Sequence, residues 1–429
     1  MEDVSATNVS LSNGVFENVT IIAMKITIRK VFKFRLSPSA DQAQQMLQYA
    51  GINRFVWNKA LAMNLFRLEH KKPMLWYNEL DFWTKLWKQS EEYSFIKEAP
   101  AQTLQQTLKN LERAFKDAFD KTQPLKRIPR FKKRGASDSF RFPQGFKLEQ
   151  QANSMFLPKL GWVRYRNSRH VVGDVKNITV SRKNNHWYAS VQVEYETESK
   201  YHTSSSIIGI DMGIKRFATL SDGSYVAPLN SFKQLSQRLA FLQRQLSRKV
   251  KFSANWKKCK QKIGRLHERI ANARRDFLHK ASTIISKNHA MIVLEDLKVK
   301  NMSKSTKGDR ENPGKNVKAK SGLNRSILDQ GWAAFVQMLE YKQSWLGGTV
   351  LKIDPKHTSQ ICPKCNHKDK DNRKTQERFK CVSCHYTNNA DRVAALNILA
   401  RGHRVLACGD VPLGKSMKQE PARTEIACV

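Results

Sequence analysis

The chain has 429 residues and a formal charge of +39, with 76 Lys and Arg against 37 Asp and Glu. A hydrophobic content of 40% excludes a disordered basic tail, and nine Trp distinguish the chain from a small basic packing protein. A field of this sign attracts polyanions almost regardless of detail, while no stretch of about 18 apolar residues could cross a membrane.

Residues 1–23 carry Glu2, Asp3 and Glu17 and no base, unlike everything that follows. They read as a disordered extension ahead of a functional start at Met24. There is no basic region followed by an apolar one, so no secretory leader is expected. Lys25–Leu36 alternates basic and apolar residues and predicts a strand. Ser39, with Gln42 three residues on, predicts a capping box. Helical sequence then runs to about Phe119. Its last helix begins near Pro100 and repeats Leu104, Leu108, Leu111, Phe115 and Ala118 at helical spacing. Trp57, Trp76, Trp83 and Trp87 in this block read mainly as core.

Leu125–Lys147 changes character. Lys126, Arg127, Arg130, Lys132, Lys133 and Arg134 crowd together, with Phe131, Phe140, Phe142 and Phe146 between or after them. Bases that grip phosphates beside rings that stack on nucleobases suit a nucleic-acid contact. A hairpin follows, from Ile178–Arg182 to Trp187–Tyr195. The strand at 25–36 is expected to join it, so that the helical block is an insertion in a β-domain.

Ile207–Asp211 is an apolar strand ending in a carboxylate. Gly213, the run Phe217–Leu220 and the turn pair Asp222–Gly223 then predict an antiparallel partner. An Asp on such a strand is costly to bury unless it is paired or holds a cation; the alternative is a strand-end Asp facing solvent. Leu229–Lys287 reads as a helical hairpin with one seam of Leu235, Leu239, Leu242 and Leu246. The other seam is Ile263, Leu266, Ile270, Ala273 and Phe277, and a basic loop joins them. The strand Ala290–Leu294 runs into Glu295 and Asp296, of which alternation puts only one on any given face. Val299–Arg325 reads as a mobile loop, Trp332–Trp345 as a helix and Thr349–Asp354 as a strand.

Cys362 and Cys365, then Cys381 and Cys384, form two C-x-x-C knuckles at a distance that suits a tetrahedral zinc ion. With four thiolates the site is structural, and His367 and His385 are not needed; a redox pair is the weaker alternative. Cys259, Cys408 and Cys428 lack ligand spacing. Asp391 then falls in the first turn of a helix, where a capping role is the plain alternative. The order is what matters: Asp at a strand end, Glu at a later strand end, Asp at a late helix start. Folded together, such carboxylates could hold two Mg2+ ions about 4 Å apart for phosphodiester hydrolysis.

Several stretches, in this order, resemble the TnpB family of insertion-sequence proteins, relatives of the type V CRISPR effectors, over nearly all of 24–403. They are KFRLSPSADQ, RFKKRGASDSFRFPQ, GIDMGIKRFATLSDG, IVLEDL, TSQICPKCNHK and ADRVAALNILA. The resemblance implies a multidomain α+β protein. In it, a RuvC/RNase H-like α/β nuclease domain (206–354 and 389–404) has an inserted zinc knuckle (355–388) that binds target nucleic acid. An N-terminal β-barrel wedge domain (24–37 and 124–205) has a helical recognition insertion (38–123). A tail at 405–429 matches nothing and is expected to be disordered. The implied activity is Mg2+-dependent, RNA-guided DNA cleavage next to a short motif, with Asp211, Glu295 rather than Asp296, and Asp391 as metal-holding catalytic acids. The implied partners are a guide RNA encoded near the gene and target DNA, in the prokaryotic cytoplasm at the nucleoid, with no membrane. Where the family pattern has Asn two residues after the last Asp, this chain has Val393. Competing functions are an RNA-guided regulator without cleavage, a DNA transposase or accessory protein, and a basic zinc protein with no chemistry. The last leaves the three acids unexplained.

Overall fold

A computed structural model describes residues 25–135, 138–198 and 201–407. The expected extension at 1–23 and the tail from 408 onward, with Cys408 and Cys428, lie outside the described residues. The chain divides into two compact units, Met1–Ser199 and Lys200–Val429.

In the first unit, β1 (Lys25–Ser37) turns Phe32, Phe34 and Leu36 inward and Lys33 and Arg35 outward, as the period of two requires. The capping box forms. Ser39 Oγ accepts from the Gln42 amide and Gln42 Oε1 from the Ser39 amide, both at 3.1 Å, and α1 (Ala40–Glu69) starts there. After α2 (Tyr77–Gln89) and a 3-10 segment (Glu91–Glu98) comes α3 (Ala101–Phe119), which buries Leu104, Leu108, Leu111 and Phe115 on one stripe. Trp57 and Trp87 are buried and Trp76 packs against the same core, whereas Trp83 stays exposed.

Six strands follow: β2 (Ser139–Phe142), β3 (Lys147–Glu149), β4 (Ser154–Leu157), β5 (Gly161–Tyr165), β6 (Asp174–Lys183) and β7 (His186–Glu198). They join β1 in a seven-stranded antiparallel sheet of order β2-β6-β7-β1-β5-β4-β3. β1 pairs with β7 from Lys25–Glu198 to Arg35–Tyr188, and with β5 at its far end. Asn184 and Asn185 close the β6–β7 hairpin with φ of 46° and 68°, the conformation a two-residue hairpin turn demands. Sequence reading missed β2, β3, β4 and β5. Short strands between turns leave little periodicity to find.

In the second unit, β8 (Ile207–Asp211) is followed by β9 (Ala218–Leu220) and β10 (Tyr225–Val226), with Gly223 at φ 96° in the turn. α4 (Ser231–Ser247) and α5 (Ala254–Asn288) form the expected hairpin. Leu235, Leu239 and Leu242 meet Ile263, Leu266 and Ile270, while Ala273 is exposed and Leu278 takes the next inward position. β11 (Met291–Glu295), α6 (Val299–Met302), α7 (Val317–Gln330), α8 (Trp332–Leu346) and β12 (Thr349–Ile353) come next. The expected loop at 299–325 is thus helical at both ends. Its Lys and Ser content hid α7, which buries few residues, Ile327, Asp329 and Gln330. β13 (Arg378–Lys380), β14 (Thr387–Asn389) and α9 (Ala390–Ala407) complete the unit. α9 runs three residues past the expected start of the tail.

The five-stranded sheet has the order β10-β9-β8-β11-β12, with β8, β11 and β12 parallel. Ile208, Ile210, Ile292 and Leu294 face α5 and α8 through Leu278, Ile285, Phe335 and Leu339. The opposite face carries Ile207, Val293, Leu351 and Ile353 against Ile398, Leu399 and Val405 of α9. α9 rides close because β8 offers a glycine: a Cβ on Gly209 would sit 2.4 Å from the Ala395 carbonyl oxygen and 2.8 Å from Leu399 Cβ. Among the described residues no helix is long and apolar enough to cross a membrane.

Gly209→Ala should therefore lower stability by about 1–3 kcal/mol, since the methyl group would run into α9 backbone rather than a flexible side chain. A melting temperature equal to that of the parent would show that α9 can shift instead.

Candidate active site

Register decides which acids can meet. β8 and β11 run parallel with Ile210 opposite Leu294, so their C-terminal residues Asp211 and Glu295 stand side by side. Asp211 shares its face with Ile207 and Gly209, and Glu295 with Met291 and Val293, which is the α9 face. Asp296 falls on the other parity, half-buried, and pairs with Lys298. Glu295 is therefore the acid that joins Asp211.

Asp391 comes to this edge from α9. It is not the cap of that helix. Asn389 Oδ1 accepts from the Asp391 and Arg392 amides at 3.1 and 3.3 Å, which leaves the Asp391 carboxylate for other work. Arg373 Nη2 donates to Asp391 Oδ1 at 3.1 Å. Thr358 Oγ1 donates to Glu295 Oε1 at 2.5 Å. Asn397, two turns along α9, donates its amide to the carbonyls of Thr358 and Ile361, both at 2.7 Å. Arg401 does the same for Asp354 and Lys356. Sequence reading missed Arg373, Thr358, Asn397 and Arg401. Thr358 and Asn397 lie inside the quoted TSQICPKCNHK and ADRVAALNILA stretches, the only signal that pointed to them.

Asp211 feels both of the other acids. Burial, then the charges of Glu295 and Asp391, push the Asp211 carboxyl up to about 7, against the pull of Arg373. Burial also raises Glu295, opposed by the Thr358 hydrogen bond. Carboxylates crowded this way favour a proton or a cation among them, and their oxygen donors fit hard divalent ions such as Mg2+.

The four knuckle cysteines come together with their sulfurs all within 4.8 Å of one another. Cys362 and Cys384 sulfurs lie 3.6 Å apart, as do those of Cys365 and Cys381. A tetrahedron with zinc–sulfur bonds of about 2.3 Å has edges of roughly 3.8 Å, so the set fits zinc. The residues after each pair, Asn366 and His385, both take a left-handed φ, 57° and 56°, which gives the two knuckles the same turn. The second knuckle is the loop of the β13–β14 hairpin, and β14 leads straight into α9 at Ala390. Val393 is buried beside Cys362, Phe379 and Cys381. The position that departs from the family pattern therefore packs this module.

The basic segment in the first unit is clamped to α1. Asn58 donates to the Lys132 carbonyl and accepts from its amide, and the Trp57 indole donates to the Arg130 carbonyl. Lys126, Arg127, Arg130, Phe131, Lys133 and Arg134 are exposed. Lys132 is not, because its ammonium sits 3.7 Å over the Trp57 ring and burial lowers it to about 8. Phe140 and Phe142 are core residues and cannot stack on a base.

Three family models match the chain. One described as "Probable transposase" covers residues 190–306, "Cas12f1-like, TNB domain" covers 332–398, and "Helix-turn-helix domain" covers 24–72. Within the last range the structure has one strand and one continuous helix, β1 and α1. The chain is 54% identical to the Escherichia coli K12 protein named "Putative RNA-guided DNA endonuclease InsQ", over 91% of this chain and 97% of that protein. A Streptomyces pristinaespiralis protein of the same description is 31% identical, over 92% of this chain and 94% of its own length. The CRISPR-associated endodeoxyribonuclease Cas12f1 of Sulfoacidibacillus thermotolerans is 26% identical over half of each chain. Among solved structures, a Cas12f1–sgRNA–target DNA complex aligns with a TM-score of 0.43 at 16% identity, covering 87% of this chain and 98% of that one.

Two outcomes follow. Asp211 carries a folded pKa raised above its unfolded value of about 3.9. Without Mg2+ at the acids, stability from this group is full below pH 4 and is lost as pH rises to about 7. Asp211→Asn removes that loss, so at pH 8, with zinc retained and no Mg2+ added, the variant should be more stable by on the order of 1–3 kcal/mol. A melting temperature at or below the parent's would refute the electrostatic account. Cys362→Ser should lose bound zinc and folding yield, since structural zinc contributes roughly 10 kcal/mol or more in small modules. Normal yield from protein with no zinc by elemental analysis would remove zinc from the fold.

Proposed function

This chain belongs to the TnpB family of insertion-sequence RNA-guided DNA endonucleases, and from that premise we propose that it cuts DNA selected by a guide RNA. The observation that supports the reading is the side-by-side register of Asp211 and Glu295 at two parallel strand ends, with Asp391 near enough for its charge to raise Asp211.

In this reading 206–354 and 389–404 act as the RuvC-like nuclease domain and 355–388 as the zinc-bearing element that meets the target. The strands of 24–37 and 124–205 act as the wedge barrel, with 38–123 as the recognition insertion. Base pairing with a guide RNA encoded near the gene reads the target, and the protein reads shape and a short adjacent motif. Lys126, Arg127, Arg130, Phe131, Lys133 and Arg134 are placed to hold backbone phosphates and a base, with Lys132 bracing the segment. In this reading the protein works in the cytoplasm, associated with the nucleoid when acting.

At the acid cluster, bound Mg2+ would activate water and stabilise the leaving oxygen of a phosphodiester. Asp211, Glu295 and Asp391 would hold it. Thr358 fixes the rotamer of Glu295, and Arg373 turns Asp391 inward while its charge favours the ionised forms. Asn397 ties the segment carrying Thr358 to the helix carrying Asp391, so the two move as one.

The test begins with RNA that co-purifies with the protein. A single abundant species with a constant scaffold and a variable end supports guided recognition and supplies the guide. With it, Asp211→Ala, Glu295→Ala and Asp391→Ala should each lower Mg2+-dependent cleavage at least about a thousandfold, in line with loss of metal and electrostatic stabilisation. RNA content should be unchanged. Cutting that survives Asp211→Ala would remove that residue from the site. Only heterogeneous RNA would move the reading to an unguided protein.

A further inference from the structure

We propose that the tip of the α4–α5 hairpin is a stacking site for unpaired nucleobases, with Phe252 and Trp256 as its faces. It shares with the reading above only the premise that the chain handles nucleic acid, and it needs neither metal nor cleavage.

The backbone at the tip is held in an unusual state. The Ser253 amide donates to the Val250 carbonyl at 3.2 Å and closes a four-residue turn. Phe252 occupies its third position with φ 71°. That position with positive φ normally takes glycine or asparagine, and a bulky residue there is a true outlier. Burial in a core does not explain it, because Phe252 is 63% exposed and Val250 79%. Strain of this kind collects where a side chain must be presented.

What surrounds the ring defines the partner. Trp256 stands 5.5 Å away, tilted by 58°, and its amide donates to Ser253 Oγ at 3.1 Å, which starts α5 there. Lys251 lies 5.2 Å from the Phe252 ring centre and Lys260 4.9 Å from that of Trp256. Arg248, Lys249, Lys257 and Lys258 flank them, and no acid occurs between Asp222 and Glu268. A partner must bring negative charge and a flat apolar face together. An unpaired base between phosphates does both, whereas a duplex exposes such faces only at its ends.

The experiment uses the full chain with short single-stranded DNA carrying 2-aminopurine, its RNA counterpart, and a blunt duplex of the same sequence. Binding should quench the probe in one or both single strands and little in the duplex, and the two single-strand arms identify which nucleic acid the tip prefers. Phe252→Gly and Phe252→Gly with Trp256→Ala should weaken single-strand binding about tenfold or more and abolish the quenching. The salt dependence should stay, because the cations remain. The melting temperature of Phe252→Gly should equal or exceed the parent's, since glycine takes this φ without strain. Unchanged binding and quenching in the variants would overturn the proposal. So would a lower melting temperature with unchanged binding, which marks a structural ring. A sedimentation shift of the parent protein that Phe252→Gly abolishes, with no quenching in either, would mark a contact between copies instead.

Discussion

Three carboxylates gathered at one sheet edge repel one another, and the second unit is arranged to hold them there nonetheless. Asp211 and Glu295 are locked by the parallel register of β8 and β11, which cannot slip without turning apolar residues out of two cores. Asp391 is held by α9, whose approach depends on the missing side chain of Gly209. The opposing force is visible in Asp211, which holds its proton up to about pH 7. Carboxylates that the fold disfavours when fully ionised favour a proton or a cation among them.

The four-cysteine module is part of that arrangement rather than an appendage. Its hairpin ends where α9 begins, and the segment that carries Cys362 also carries Thr358, which bonds Glu295. Arg373, between the two knuckles, bonds Asp391. Asn397 ties the segment back to α9 through two carbonyls. Four cysteines close the small loop system that carries Thr358 and Arg373, the partners of two of the acids. Val393 serves the same end by packing under the cysteines, so its departure from the family pattern falls on the module's core and not on the acid edge.

The hairpin of α4 and α5 answers to a different constraint. Its inner seam is ordinary leucine and isoleucine packing. Its tip presents an aromatic pair in a cationic, acid-free surround, with one residue in a backbone state that its type disfavours. Local rules and the observed geometry disagree there, and such disagreements concentrate at working surfaces.

Much of the site was legible in the chain alone, because its signals are local. Apolar runs that end in a carboxylate marked Asp211 and the pair Glu295 and Asp296, the family resemblance chose Glu295 of the two, the spacing of Cys362, Cys365, Cys381 and Cys384 marked a metal site, and Ser39 with Gln42 marked the start of α1. Tertiary structure alone decided the rest. That Asp296 faces away, that Asn389 and not Asp391 caps α9, and that Phe140 and Phe142 point into the core while Phe131 does not, all depend on register and burial that no short window contains. The same holds for Lys132, identical in type to its neighbours yet drawn onto Trp57. Thr358, Arg373 and Asn397 are distant in sequence from the acids they orient. Sequence determined which groups are available; chain-distant packing decided which of them meet.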